Sequence, residues 1–218
     1  MSLLSPELRE RAEEIKARYP DSRSAMLPLL YLVQSVEGYA SREGLREVAE
    51  ILDLTTADVE AVATFYTMIR NRPAGKYILS VCTNLSCGLV GGKRLYQRAH
   101  EILGPGSEGV TDDGLLTLHE EECLGACEQA PVVQVNFLNY ARMSEEGLAQ
   151  LIEGLRREDP PPSTFGPRPP DLKETCRVLA GIGGAARPNG VGGAARPNGI
   201  GGAPADGTAP RTEDAAGG

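Results

Sequence analysis

The chain is poor in aromatic side chains and has no long apolar run. It contains no Trp, 3 Phe and 7 Tyr among 218 residues, so its core must be built mainly from aliphatic side chains. No stretch approaches the roughly 20 apolar residues that cross a bilayer, which argues against direct insertion into a membrane. The N-terminal residues lack the basic and apolar regions of a secretory signal, so we expect a cytoplasmic protein with reduced cysteines.

The chain also lacks an excess of positive charge and the motifs of a nucleotide site. Its formal net charge is -8, whereas nucleic-acid binding needs a basic surface, so no nucleic-acid partner is expected. No G-x-G-x-x-G follows a predicted strand and no Walker-type loop is present, so the chain should have no nucleotide site of its own. The two histidines, His100 and His119, are predicted to have surface or packing roles.

Four of the 5 cysteines form two close pairs. Cys82 and Cys87 have the spacing C-x4-C, and Cys123 and Cys127 have the spacing C-x3-C. Four thiolates on two loops that meet in space usually hold a metal ion or an iron–sulfur cluster. The spacing favours a [2Fe–2S] cluster over structural zinc, because C-x3-C is less typical of zinc knuckles. Two disulfides or a redox dithiol remain as further alternatives.

Residues 1–75 are predicted to form a helical domain. Apolar side chains recur at helical spacing in four successive segments. Ser and Thr are favourable helix N-caps, and such residues precede three of the segments. The segments begin at Ser5, near Met26, at Ser41 and near Thr55. Because the connections between them are short, the sequence predicts a compact helical bundle.

Residues 76–159 are predicted to form an α/β domain with a four-stranded sheet. The predicted elements are a strand at 77–81, a helix at 92–103, a strand at 115–119, a hairpin at 132–142 and a helix from Ser144 to Leu155. The first strand runs directly into Cys82, and the second ends shortly before Cys123. Because α/β folds place their sites beyond the carboxyl ends of strands, both cysteine pairs are expected at one edge of the sheet.

The composition changes at the triple proline 160–162. Residues 160–218 are rich in Pro, Gly and Ala and hold half of the 26 glycines, and a nine-residue repeat occupies residues 183–200. A segment with so little apolar surface cannot offset its ordering entropy, so 160–218 is predicted to be a disordered tail. The fifth cysteine, Cys176, lies in this tail and is predicted to be unnecessary for the four-cysteine site. A short helix at Asp171–Leu179 that covers a partner surface is the alternative for this segment.

Several segments of the chain resemble one protein family closely. They are A-T-F-Y-T-M at 63–68, the run from G-K-Y to V-C-T-N at 75–84, C-L-G-A-C and the following Ala-Pro at 123–131, and R-S-A-M-L-P-L-L at 23–30. The family they resemble is the small thioredoxin-like [2Fe–2S] component of NADH–quinone oxidoreductase (respiratory complex I). The resemblance covers about residues 8–157 and includes both cysteine spacings.

The resemblance implies an α+β fold, with an N-terminal helical bundle and a thioredoxin-like α/β domain that has a four-stranded sheet. It implies one [2Fe–2S] cluster on Cys82, Cys87, Cys123 and Cys127, and no catalytic residue in this chain. NADH and FMN would be bound by a larger flavoprotein partner, so the chain alone should not oxidise NADH. The protein would be cytoplasmic and peripheral to the inner membrane, in contact with other peripheral-arm subunits of complex I.

Other functions are compatible with the same cysteines. Similar subunits serve NAD-linked hydrogenases and formate dehydrogenases, and the identity of a neighbouring large-subunit gene would separate these from complex I. An alternative of another class is a zinc-binding interaction module without a redox role. Because Zn²⁺ is colourless, the visible absorption of the purified protein distinguishes zinc from an iron–sulfur cluster.

Overall fold

The computed structural model describes residues 2–106 and 108–182, which fold around two main hydrophobic cores. The first core lies among four helices, α1 (Pro6–Lys16), α2 (Met26–Glu37), α3 (Arg42–Leu52) and α4 (Thr56–Phe65). The second lies in the α/β part, with β1 (Tyr77–Cys82), α5 (Leu85–Leu89), α6 (Gly92–Leu103), β2 (Leu116–Glu121), β3 (Val133–Val135), β4 (Leu138–Tyr140) and α7 (Glu145–Arg156). A last helix, α8, spans Leu172–Leu179, and short 3-10 turns span Ser22–Ala25 and Cys127–Gln129.

Three of the first four helices begin at polar capping side chains that the sequence indicated, and α2 is the exception. Ser5 and Ser41 each accept a hydrogen bond from a first-turn backbone N–H, at the starts of α1 and α3. Thr55 and Asp58 form a capping box at the start of α4. Gly38, with a φ of 89°, ends α2 in the left-handed conformation that glycine tolerates best. The predicted helical bundle is therefore confirmed.

The sheet has the predicted four strands, and their order is β2-β1-β3-β4. β1 and β2 are parallel, β1 and β3 are antiparallel, and β3 and β4 form the predicted hairpin. Leu79 and Val81 of β1 belong to the core that includes side chains of α6 and α7. Because side chains alternate along a strand, Ser80 and Cys82 point to the opposite face. Cys82 is thus the last residue of a strand buried on both faces.

Residues 160–182, which we call the C-terminal strap, cross both parts of the molecule. Tyr140 donates its hydroxyl to the carbonyl oxygen of Pro161 at 2.8 Å, and the Leu172 N–H donates to the carbonyl oxygen of Lys76 at 2.8 Å. α8 then packs along α2 in the helical part. Its Lys173 ammonium donates to the carbonyl oxygen of Val36 at 2.8 Å. The strap therefore joins the sheet to the helical bundle.

The prediction of disorder from residue 160 onward was wrong for the strap. Leu172 and Cys176 are 2% and 0% exposed and pack with Ile78, and such contacts are not visible in composition. The surfaces of two other parts of the fold supply the apolar burial that the segment lacks by itself. The remainder of the predicted tail, including the nine-residue repeat, lies outside the described residues. Within the described part of the chain, none of the helices has the length and apolarity needed to cross a membrane.

Candidate metal centre

The first cysteine pair lies at the end of β1. The Cys82 N–H donates to the carbonyl oxygen of Val132 at 3.1 Å, and the Thr83 N–H donates to that of Glu121 at 3.1 Å. Cys82 is thus held between the end of β2 and the start of β3. The chain then turns into α5, which carries Cys87. Both thiols are buried, with exposed fractions of 3% and 2%.

The second cysteine pair lies in the loop that follows β2. Gly125 has a φ of 67°, a conformation that suits glycine, and its N–H donates to Cys123 Sγ at 3.4 Å. Cys127 begins a 3-10 turn, Cys127–Gln129, whose last carbonyl oxygen accepts from the Arg142 N–H at 2.8 Å. Cys123 and Cys127 are both exposed, so this pair faces solvent while the other pair is buried.

The two loops pack against each other at the predicted edge of the sheet. Cys82, Cys87 and Val132 form one apolar cluster, to which Leu124 and Ala126 of the second loop contribute. Cys82 Sγ also lies 3.8 Å from the carbonyl oxygen of Glu122, which directly precedes the second pair. The structure therefore brings the two predicted cysteine loops together.

Cys176 is separate from this group, as its position in the sequence predicted. It lies on α8, where its sulfur accepts a hydrogen bond from Gln34 Nε2 at 3.1 Å. Its side chain packs with Ile78 and Leu172 on the buried side of the strap. Burial raises the pKa of the Cys176 thiol to about 11, so the side chain behaves as a small apolar group at neutral pH.

Burial also controls the protonation of Cys87. Loss of hydration raises the pKa of its thiol to about 11, and the neighbouring Cys82 thiol acts in the same direction. A hydrogen bond from the Val132 N–H opposes this shift only in part. A thiolate in this position therefore needs a compensating cation. A coordinated metal supplies one, because metal-bound thiols are deprotonated outright.

The donor set fits an iron–sulfur cluster. The donors that the two loops bring together are sulfur atoms, which are the ligands that iron–sulfur clusters use. The four thiols come in two pairs, one on each loop, which suits a group with two irons. A Cβ at Gly92 would lie 2.5 Å from the carbonyl oxygen of Cys82, so glycine is what lets α6 begin against this loop.

Neither histidine adds to the group of four thiols. His100 is exposed on α6. His119 lies on β2, where its Nδ1 is 3.1 Å from Glu121 Oε1 but is buried without a well-directed hydrogen bond. Burial lowers the pKa of His119, and the Arg70 charge lowers it further, while the Glu121 carboxylate opposes both effects. His119 therefore lies close to Arg70 and Glu121, away from the four thiols.

Two features beside the cysteines were not predicted from the sequence. Leu85, Leu89 and Val90 flank Cys87 and are 73%, 79% and 53% exposed. The sequence does carry a signal for this surface. The segment C-T-N-L-S-C-G-L-V contains three apolar residues besides its cysteines, and so short a turn cannot bury all three. The second feature is Arg70, which lines a cavity of about 150 Å³ next to the second cysteine loop. No sequence signal connects Arg70 to the site.

Comparison with known sequences gives one consistent family. A sequence profile described as thioredoxin-like [2Fe–2S] ferredoxin matches residues 12–156. A relative from Mycobacterium tuberculosis, one of the subunits of its NADH-quinone oxidoreductase, is 46% identical over 171 residues, 78% of this chain and 68% of that protein. NADH-quinone oxidoreductase subunit 2 from Thermus thermophilus is 42% identical over 147 residues, 66% of this chain and 81% of that protein.

The fold is also found in a solved structure. A chain of an NAD+-reducing [NiFe]-hydrogenase in the H2-reduced state superposes with a TM-score of 0.54 and 23% sequence identity. The match covers 62% of this chain and 22% of that one. At this identity the likeness shows a shared fold, and it locates that fold within one segment of a much longer chain.

Proposed function

The chain belongs to the thioredoxin-like [2Fe–2S] ferredoxin family, and we propose that it is the [2Fe–2S] electron-transfer component of an NADH–quinone oxidoreductase. The proposed ligands are the four cysteines of the two loops, Cys82, Cys87, Cys123 and Cys127. The observation that carries the proposal is the packing of both loops at the carboxyl ends of two parallel strands, with two thiols on each loop.

The chain's own residues would hold and shield the group. When bound, a [2Fe–2S] cluster supplies reversible one-electron transfer. The buried positions of Cys82 and Cys87 exclude water on the inner side. The Gly125 N–H donates to Cys123 Sγ, and hydrogen bonds of this kind stabilise negative charge on sulfur. The exposed pair, Cys123 and Cys127, marks the face through which single electrons would be exchanged with FMN in an NADH-binding partner.

Two exposed apolar surfaces are candidates for contact with that partner. The first, which we call the loop patch, consists of Leu85, Leu89 and Val90 and lies on the segment that carries Cys87. The second is the end of α4, where Phe65 is 76% exposed and its ring packs edge-on against Tyr66 at 5.1 Å. Large exposed apolar groups mark interaction sites, and the loop patch is the nearer of the two to the cysteines in sequence. We therefore assign the loop patch to the flavoprotein contact.

We expect the isolated, cluster-loaded chain to show no NADH–ferricyanide turnover, and the complex with the FMN-binding partner to show it. The double variant Leu85→Ser with Leu89→Ser should weaken partner binding at least about tenfold, because each buried leucine contributes roughly 1.5–3 kcal/mol. Size-exclusion co-elution at several concentrations and the turnover of the complex measure the two effects.

The matched control is Tyr19→Ser, which removes an exposed apolar side chain from the helical part, away from both surfaces. Phe65→Ser tests the end of α4 in the same assay. Partner binding that is lost in Phe65→Ser but unchanged in the double leucine variant would move the contact to the helical bundle. Robust turnover by the isolated chain would contradict the proposed division of labour.

An equivalent role in an NAD-linked hydrogenase or formate dehydrogenase is the alternative, since it uses the same site chemistry. Co-purification of the native protein from its own cells distinguishes the assemblies, because the large protein that elutes with it identifies the complex. Membership of a [2Fe–2S] family weighs against the zinc-binding module, and the visible spectrum separates the two.

A further inference from the structure

Arg70 lies in the segment between α4 and β1 and lines a cavity that Leu124 of the second cysteine loop also lines. Its side chain lines the 150 Å³ cavity together with Ser80, Glu121 and Leu124. Within the described part of the chain, its guanidinium makes no side-chain hydrogen bond and has no carboxylate within 4.0 Å. Burial lowers the pKa of Arg70, and the nearby Glu121 carboxylate opposes this, so the cation is partly shielded from water and faces an acid.

The backbone at Arg70 is held firmly by the helical part of the molecule. Gln34, a fully buried side chain of α2, accepts the Arg70 N–H on its Oε1 at 2.7 Å and donates from Nε2 to the carbonyl oxygen of Met68 at 3.3 Å. The Ala40 N–H donates to the carbonyl oxygen of Arg70 at 2.7 Å. The backbone from which the guanidinium projects is therefore positioned by the helical bundle and not by the cysteine loops.

The other walls of the cavity belong to the cysteine loops. Glu121 pairs with Cys82 in the parallel ladder between β1 and β2. Leu124 lies inside the second cysteine loop and packs with Cys82 and Cys87. Arg70 therefore lines a cavity that residues of the second cysteine loop also line, in a region where the effective dielectric constant is below that of water.

One acidic side chain and one histidine lie close to Arg70. Glu121 faces the cavity, and Glu120 and Glu122 continue the acidic run on either side of it. His119 lies on the same face of β2 as Glu121, and its lowered pKa leaves it neutral at neutral pH. Arg70 is thus a cation that faces the negative charge of Glu121.

We propose that Arg70 raises the reduction potential of the cluster assigned to the four cysteines, acting as a fixed charge supplied by the helical domain. The proposal rests on the function proposed above. Reduction adds one negative charge to the cluster, and a nearby cation stabilises the reduced form more than the oxidised form. Charge and solvent exposure are established determinants of iron–sulfur potentials, and outer groups tune metal sites through them.

The test is a redox titration of the full-length, cluster-loaded protein, followed by EPR. Arg70→Gln and Arg70→Met, which remove the charge, should each lower the ratio of reduced to oxidised cluster about tenfold at a fixed potential, a shift of about 59 mV for one electron. Arg70→Lys keeps the charge and should retain most of the wild-type potential. Arg72→Gln is the control, because Arg72 is 75% exposed and pairs with Glu108 at the surface.

Each outcome decides the proposal. An unchanged potential in a neutral variant with full iron content would overturn it. Loss of the cluster from both neutral variants would overturn it as well, since Arg70 would then be required for assembly and not for the potential. A shift of equal size in Arg72→Gln would show that the effect is not specific to the cavity. Absence of a cluster from the wild-type protein would instead contradict the proposed function, so the two failures are distinguishable.

Discussion

Replacing Cys82, Cys87, Cys123 or Cys127 by Ser is expected to remove most of the iron from the purified protein, whereas Cys176→Ser should leave the iron content unchanged. The first four thiols lie on two loops in contact with each other, and a cluster that loses one of four thiolates loses a quarter of its protein ligands. Cys176 is buried against α2 by the strap and faces neither loop.

Iron and acid-labile sulfide per chain are the quantities to measure, with the visible spectrum as a rapid check. Cys176→Ser is the matched control, because it makes the same chemical change at a buried cysteine of the same chain. Full iron content in any of the four loop variants would remove that residue from the ligand set. Loss of iron from Cys176→Ser, in a protein that is still folded, would require the four-ligand assignment to be abandoned.

Deleting the strap is expected to destabilise the fold strongly. A chain that ends at residue 159 exposes the face of α2 against which α8 packs and loses the burial of Leu172 and Cys176. Removing a single buried leucine side chain costs about 2–5 kcal/mol, so the free energy of unfolding should fall by at least about 3 kcal/mol. For a protein of this size, that corresponds to a fall in Tm of roughly 6–12 °C.

Thermal and urea unfolding of chains ending at residue 159 and at residue 182 measure this effect. The longer chain keeps the whole strap and is expected to match the full-length protein in stability and cluster content. Leu172→Ala in the full-length chain should reproduce a large part of the loss without changing the chain length. Equal stability of the two truncated chains would mean that the strap contributes nothing to the fold.

Local signals in the sequence predicted most of the structure. Ser5, Ser41 and Thr55 cap helices where the sequence indicated, and the strand at 77–82 leads into the first cysteine. These predictions succeeded because caps and periodic apolar residues act within a few positions of one another. The cysteine spacing predicted that two loops meet, and the structure confirms that they do.

Local signals allow a short helix at Asp171–Leu179 but could not predict that the strap docks on the rest of the chain. α8 has only eight residues, and isolated helices of that length are unstable in water, so its formation depends on docking to α2. The hydrogen bonds that hold the strap come from residues far away in the sequence, such as Asn136, whose Nδ2 donates to the carbonyl oxygen of Pro170 at 2.8 Å. The composition of residues 160–182 therefore does not reveal that the segment docks on α2 and on the sheet.

The placement of Arg70 was unpredictable for a similar reason. Gln34 and Ala40 position its backbone, while Glu121 and Leu124 form the cavity that its side chain lines. These contacts join the helical bundle to the far side of the sheet. They depend on how the helical bundle and the sheet pack together, and no sequence pattern within either of them predicts that packing. The burial of one cysteine pair and the exposure of the other likewise depend on how separate parts of the chain pack together.

EPR of the purified wild-type protein, combined with iron and sulfide analysis, tests the central claim most directly. A [2Fe–2S] site predicts two irons and two sulfides per chain, no signal from the oxidised protein because two ferric spins couple, and a spin-½ signal after one-electron reduction. Stoichiometric zinc in protein purified without added metal, with no EPR signal after reduction, would contradict an electron-transfer role and favour a zinc-binding module.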